Sequence, residues 1–174
     1  MTREPVLPID TGRLRLRSLT ETDAEALHRI YGDAETMRYV GRSGQPTSDL
    51  DATRHALAYL RDHEARHGFS LWAVDEPNGD DLVALCGLLL VEGTGPEIEA
   101  AYLVRRDRWR RGYATEALGA VLPLASGPLS LERVIALAWA ENDPSRMVME
   151  RAGMRADGRV EAYGRLMTRH AWPA

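Results

Sequence analysis

Hydrophobic and polar positions change their period along the chain, and each change marks an element. Residues 13–17, RLRLR, alternate strictly, which predicts a first strand with one wet face. Thr20 stands as the cap of a helix reaching about Tyr31, with Ala24, Leu27 and Tyr31 on one side. The polar stretch 41–48, GRSGQPTS, reads as a loop, after which Ser48 can cap a second helix that turns Leu57 and Leu60 inward and stops near Gly68. Beyond Gly68 the period shortens. FSLWAVD (69–75) and LVALCGLLLV (82–91) flank EPNGD and predict a hairpin, and EGTGPE turns the chain into a third strand, Ile98 to Val104. Ala114, Leu118, Val121 and Leu122 return to helical spacing, with Pro123 predicting an end or a kink. ERVIALAWA (132–140) reads as a buried strand, Asp143 to Arg151 as a short helix stopped by Gly153, and two strand-like runs close the chain, the last being GRLMTRHAW (164–172). Strand, two helices, three strands, then alternating helix and strand: this order predicts a mixed sheet with helices on both faces, of α+β or α/β type.

Composition narrows the function. The 174 residues suit one domain, 1–174, and no repeat or long linker divides them. A net charge of −4 gives no basic footprint for nucleic acid or an anionic membrane. All 22 side chains in the Lys+Arg count are arginine, so Schiff-base chemistry and a Walker-type phosphate lysine are excluded. Cys86 is the single cysteine, which rules out an internal disulfide and a cysteine-rich zinc site; its apolar run predicts an inert buried thiol. The amino terminus lacks a signal-like apolar stretch and no run reaches membrane-spanning length, so a cytoplasmic protein is expected. His63 and His67 are spaced i and i+4, but without the glutamate of HExxH a solvated helix face is the better reading and no metal is expected.

The segment with chemical character is WRRGYAT, Trp109 to Thr115. A helix N-terminus presents unpaired N–H groups and a partial positive charge, and glycine lets an anion approach them. Gly112 offers that approach, Ala114 keeps the first turn small, Arg110 and Arg111 add charge, Thr115 offers a hydroxyl and Glu116 sits favourably against the dipole. Taken in isolation, the string fits an ordinary capped surface helix with solvated arginines better. Neither GxxxxGK[ST] nor GxGxxG after the first strand is present.

EAAYLVRRDRWRRGYATEAL, followed by WAENDPSRMVMERAGM and preceded by TGRLRLRSLTETDAEAL, resembles the GNAT superfamily of acetyl-CoA-dependent N-acetyltransferases, within it the branch of ribosomal-protein N-terminal acetyltransferases and their small-molecule-modifying relatives. The resemblance runs from about Thr11 to Trp172 and implies a mixed, mostly antiparallel sheet of about six to seven strands with helices on both faces. The family signature, Gln or Arg, two variable residues, Gly, one variable, then Gly or Ala, falls on Trp109, Arg110, Arg111, Gly112, Tyr113 and Ala114, with Trp109 departing from it. It implies that backbone N–H groups from Arg110 to Ala114 hold the coenzyme A pyrophosphate and that Leu103 and Val104 pair with the pantetheine arm. Arg105 and Arg106 stand where the family has an acidic-Pro pair, so a different turn is expected there.

Acetyl transfer from a thioester needs a neutral amine, a stabilised oxyanion and a departing thiolate. Glu99 aligns with an acidic position on the family's fourth strand and is the candidate base, through water; a solvated strand end is the alternative, and Glu97 lies two residues away on the same face. A backbone N–H near Leu103 would serve the oxyanion. Asn142 and Ser145 match an Asn-x-x-Ser in which asparagine contacts pantetheine, and both also suit a local helix cap. Met149 occupies the place of a thiolate-protonating tyrosine, which leaves that role to Ser145 or water. The acceptor, a protein α-amino group or a small amine, would enter past 41–48 and the turn from Arg159 to Gly164, with Tyr39, Trp72, Glu97 and Tyr163 as mouth residues; Trp72, Trp139 and Tyr102 also read as core or pocket wall. Two rivals stay open: an acyl-CoA-binding module without turnover, and use of another donor such as succinyl-CoA paired by Arg38 or Arg42. Nothing in the sequence sets the oligomeric state, and a homodimer is one arrangement the resemblance allows.

Overall fold

The structure is a computed structural model that describes residues 7–77, 79 and 81–173. Among these, eight strands form one sheet: β1 (Ile9–Asp10), β2 (Arg15–Arg17), β3 (Leu71–Asp75), β4 (Leu82–Leu90), β5 (Ile98–Val104), β6 (Val134–Trp139), β7 (Arg155–Ala162) and β8 (Arg165–Trp172). Their order is β1-β2-β3-β4-β5-β6-β8-β7, and every neighbouring pair is antiparallel except β5 and β6. Five helices accompany it: α1 (Ala24–Tyr31), α2 (Ala34–Met37), α3 (Leu50–His67), α4 (Tyr113–Ser126) and α5 (Asp143–Arg151). The mostly antiparallel mixed sheet matches the expected class, with eight strands in place of six to seven because the two-residue β1 joins the edge and both closing runs pair. The turn expected over EPNGD includes residues 78 and 80, which lie outside the described residues.

Side-chain alternation sorts the core into two layers. On one face Ala117, Leu118, Val121 and Leu122 of α4 bury Trp72, Val74, Cys86, Leu88 and Ala100. On the other, Leu27 and Ile30 of α1 and Leu57 and Leu60 of α3 cover Leu71, Ala73, Leu82 and Leu85. Cys86 is buried as expected, and burial pushes its thiol well up from its ordinary value.

Several expectations are corrected. The strand expected over 13–17 is β2 and begins at Arg15, since Arg13 is drawn away by Glu116 and the carbonyl of Arg111. Asp49, not Ser48, caps α3: its carboxylate accepts from the Ala52 N–H at 2.8 Å, while the Ser48 hydroxyl donates to that same carboxylate. Pro123 neither ends α4 nor stands at its last residue; the helix runs to Ser126, because Pro123 removes only one late helical bond, to the exposed Gly119 carbonyl. His63 is not on a wet face. It is buried, its Nδ1 lies 2.8 Å from the Phe69 carbonyl, its Nε2 accepts from the Leu90 N–H at 3.4 Å, and desolvation lowers its pKa.

Candidate functional site

β4 and β5 pair along the full length of β5, whereas β5 and β6 meet only at Glu99 and Ile135. Beyond that one bridge the sheet splits, and one edge of β5 faces a gap. Which backbone groups face it follows from the register. The Arg105 N–H donates to the Val83 carbonyl at 2.8 Å, and the Val91 N–H to the Glu97 carbonyl at 3.0 Å, so odd-numbered residues of β5 aim their backbone groups at β4. Even-numbered residues therefore aim theirs at the gap. This corrects the expectation for Leu103, whose N–H and C=O are taken by its partner Leu85. Tyr102 carries an open N–H and C=O there, and Val104 an open N–H.

The chain then makes a tight turn. Arg105 is buried and holds Asp107 through Nε at 2.6 Å and Asp81 through Nη1 at 2.9 Å, bracing a 3-10 turn over Arg106–Arg108. Arg105 stands at the first of the two positions where the family has an acidic-Pro pair, and here it supplies this ion-pair brace. Trp109, exposed on its ring, donates Nε1–H to the Val104 carbonyl at 2.7 Å. Arg110 lies at φ 62° and Gly112 at φ 78°, the left-handed region that glycine enters without cost and arginine does not. Gly112 is the N-cap of α4, and no side chain caps the helix. The N–H groups of Tyr113, Ala114 and Thr115 lie in its first turn, before the first helical bond from the Glu116 N–H to the Gly112 carbonyl at 3.0 Å. The Tyr113 side chain points into the core and anchors the turn, its hydroxyl donating to Glu76 at 2.7 Å; Arg108 also holds Glu76, and Arg111 lies 3.9 Å from it. Ala114 and Thr115 are partly exposed beside the turn. Backbone curvature, helix dipole and exposed Arg110 and Arg111 combine into a cradle for a polyanion.

Glu99 sits where the split begins. It is 8% exposed, so it is not a solvated strand end. The Tyr163 hydroxyl donates to its Oε2 at 2.6 Å, and burial lifts its pKa from an ordinary 4.5 to about 7, the tyrosine hydrogen bond opposing the rise. Tyr163 is at φ 53° on the tip of the β7–β8 hairpin, fixed by its N–H donating to Glu92 at 2.7 Å. Glu97 is exposed and 3.6 Å from Arg169.

The opposite face of β5 presents Tyr102. Its hydroxyl lies 2.7 Å from Ser145 Oγ and donates to the Ser145 carbonyl at 2.8 Å. Asn142 caps α5, its Oδ1 accepting from the Ser145 N–H at 3.3 Å, so the local capping reading is realised. Met149 is buried in the core. The sequence reading missed the pairing of Tyr102 with Ser145; the available signal was Tyr102 lying three residues after Glu99, hence on the other face. It also missed the Tyr163–Glu99 bond, which joins residues far apart in the chain.

Tyr39, Trp139 and Arg165, the first residue of β8 beyond the hairpin tip, gather together. Tyr39 meets Trp139 edge-on at 5.6 Å, the Trp139 Nε1–H donates to the Gly41 carbonyl at 3.3 Å, and the Arg165 guanidinium lies 3.2 Å above the Trp139 ring. Trp72 is not among them: it is fully buried beneath α4, its Nε1–H donating to Glu64. Among the described residues no helix is long and apolar enough to cross a membrane.

A split mixed sheet, an uncapped helix start after β5 and a buried carboxylate at the split are suited to group transfer. Residues 13–155 match the acetyltransferase (GNAT) domain, so the chain belongs to the GNAT acetyltransferase family and is an N-acetyltransferase. It is similar to an uncharacterized N-acetyltransferase, YoaA, of Bacillus subtilis (strain 168), 23% identical over 159 residues that cover 89% of this chain and 86% of the relative. Among solved structures, an acetyltransferase from Agrobacterium tumefaciens superposes with a TM-score of 0.82 at 22% identity, covering 98% of this chain and 96% of that one. Mycobacterium smegmatis RimJ, solved in complex with CoA-disulfide, gives 0.76 at 23% identity over 97% and 91% of the two chains, and this chain resembles the RimJ/RimL branch.

Proposed function

We propose that this enzyme transfers an acetyl group from acetyl-CoA directly to a primary amine, a protein N-terminus or a small-molecule amine, within a ternary complex. The observation that carries the reading is Glu99: a buried carboxyl whose pKa is about 7, held by Tyr163 at the point where β5 and β6 part. A base poised there takes the proton of an ammonium or of a water relayed to it near neutral pH.

The cofactor follows the geometry. Its pyrophosphate lies on the N–H groups of Gly112, Tyr113, Ala114 and Thr115, with Arg110 and Arg111 supplying charge and Trp109 flanking the turn. The pantetheine arm enters the gap along β5 and pairs with the N–H and C=O of Tyr102 and the N–H of Val104, Asn142 bordering it at the start of α5. The open N–H of Tyr102 or Val104 is oriented to receive the oxyanion. As the amine attacks, the C–N bond forms and the C–S bond breaks; Ser145, hydrogen-bonded to Tyr102, or water supplies the thiolate's proton. The RimJ and RimL structures, one of them a ribosomal L7/L12 alpha-N-protein acetyltransferase in complex with coenzyme A, support CoA as carrier and a protein amine as one acceptor class.

Mass spectrometry of a panel of small amines and N-terminal peptides incubated with enzyme and acetyl-CoA tests the reading. An acetylated acceptor with free thiol release is expected, and Glu99→Gln should lower turnover by about 10²–10⁴-fold at unchanged CoA affinity. Tight acetyl-CoA binding with no acceptor turned over would replace the enzyme by a binding module, and preference for succinyl-CoA in donor competition would replace the acyl group.

A further inference from the structure

The proposed cofactor cradle contains a peptide group whose orientation is set from outside the turn, by a residue near the start of the chain. Arg13 donates from Nη1 to the Arg111 carbonyl at 2.8 Å and from Nε to Glu116 Oε2 at 2.7 Å, and its Nη2 lies 2.7 Å from the same carboxylate. Its backbone N–H donates to Glu116 Oε1 at 2.8 Å, and Thr11 donates its hydroxyl to that oxygen at 2.5 Å. The guanidinium also lies 5.1 Å from the Tyr113 ring centre, and a Cβ on Gly112 would be 3.4 Å from Nη2.

We infer that Arg13 is a positioning residue for the pyrophosphate cradle, acting through the 111–112 peptide and through Glu116 without belonging to the loop that contacts the anion. Two physical steps carry this, and it rests on the assignment of the cradle to coenzyme A. A trans peptide is planar, with C=O and N–H pointing in opposite directions. Arg13 pins the Arg111 carbonyl to its own side, so the Gly112 N–H projects away from Arg13 and joins the free N–H groups of the α4 first turn. Freed from Arg13, this peptide can rotate about its bonds to Arg111 and to Gly112, a glycine at φ 78° that also enters other backbone regions without cost, presenting a carbonyl where an anion needs a donor. The second step is charge. Glu116 lies in the first turn of α4, where its carboxylate suits the helix dipole but repels a bound pyrophosphate. Arg13 neutralises it at close range, and these contacts hold the Glu116 pKa below its ordinary value against the effect of burial. Glu116 can thus support the helix without opposing the cofactor.

The test compares wild type with Arg13→Ala, measuring thiol release from acetyl-CoA and from S-acetylpantetheine, which lacks the pyrophosphate, at one fixed amine concentration, together with calorimetric titration of CoA. Expected are a CoA dissociation constant and an acetyl-CoA KM raised at least ~10-fold with kcat within ~3-fold. The ratio of kcat/KM for acetyl-CoA over S-acetylpantetheine should fall by the same factor as CoA affinity. Adding Glu116→Gln to Arg13→Ala should recover part of the lost CoA affinity, since it removes the uncompensated carboxylate. An unchanged donor ratio overturns the inference, whether both donors lose activity together or neither does. A wild-type protein that binds no CoA in the titration counts instead against the proposed function.

Discussion

At the scale of single residues, Glu99 couples chemistry to stability. Its carboxyl, lifted from 4.5 to about 7 by burial, binds its proton more tightly in the folded protein than in the unfolded chain. The stability it contributes is therefore complete below pH 4.5 and lost as pH rises through 7, a change of about 3 kcal/mol. Glutamine at this position is neutral throughout. Glu99→Gln should match wild type in denaturant unfolding at pH 5 and exceed it by about 1–3 kcal/mol at pH 8.5, while losing turnover. Equal stability of the two proteins at both pH values would remove the buried charge from the account. As the proposed base, the same carboxyl should set the rising limb of kcat/KM, with activity expected to climb through about pH 7. Tyr163 donates to Glu99 and favours its ionised form, so Tyr163→Phe should move that limb to higher pH.

At the scale of elements, much of the design is written locally. The apolar spacing of α4, the extended run of β5 and the stop at Gly68 are read directly because each depends on neighbours in sequence. The turn into α4 was legible for the same reason, since glycine, small residues and arginines occupy consecutive positions. What the sequence concealed depends on long-range packing. Trp72 looks amphipathic enough for a pocket wall, yet the β3 register turns it beneath α4. His63 reads as polar surface, but the end of α3 docks it between the Phe69 carbonyl and the Leu90 N–H. The Leu103 backbone reads as free, but the odd–even phase of the β4–β5 ladder commits it to Leu85. Gly87 shows how tightly this half-sheet is built: a Cβ there would stand 1.9 Å from the Ser70 carbonyl oxygen, backbone that is itself bonded to the Leu88 N–H. Gly87→Ala must push β3 from β4, and chemical denaturation should show a loss of about 1–3 kcal/mol. An unchanged midpoint would mean that this close approach is not rigid.

At the scale of the whole molecule, the sheet is two half-sheets joined by one parallel bridge, and the proposed cofactor completes the join. β1 to β5 carry α1, α3 and α4, while β6 to β8 close through Ile135, Leu137 and Met167. Between them the open edge of β5 offers Tyr102 and Val104, while Ala101 and Leu103 are committed to β4. Native-state hydrogen exchange separates these two sets residue by residue. In the free protein the Ala101 and Leu103 amides should exchange only through large openings, and the Tyr102 and Val104 amides much faster, from the folded state. A pantetheine arm paired along this edge should slow Tyr102 and Val104 selectively and narrow that difference. Coenzyme A at 100 times its dissociation constant should also raise global stability by about 2.7 kcal/mol. The alternation in free-protein exchange tests the register alone, and its collapse on adding coenzyme A tests whether the arm lies in the split. Four amides exchanging alike without ligand would refute the register argument. Persistence of the alternation at saturating coenzyme A would place the arm elsewhere and leave the two half-sheets unbridged.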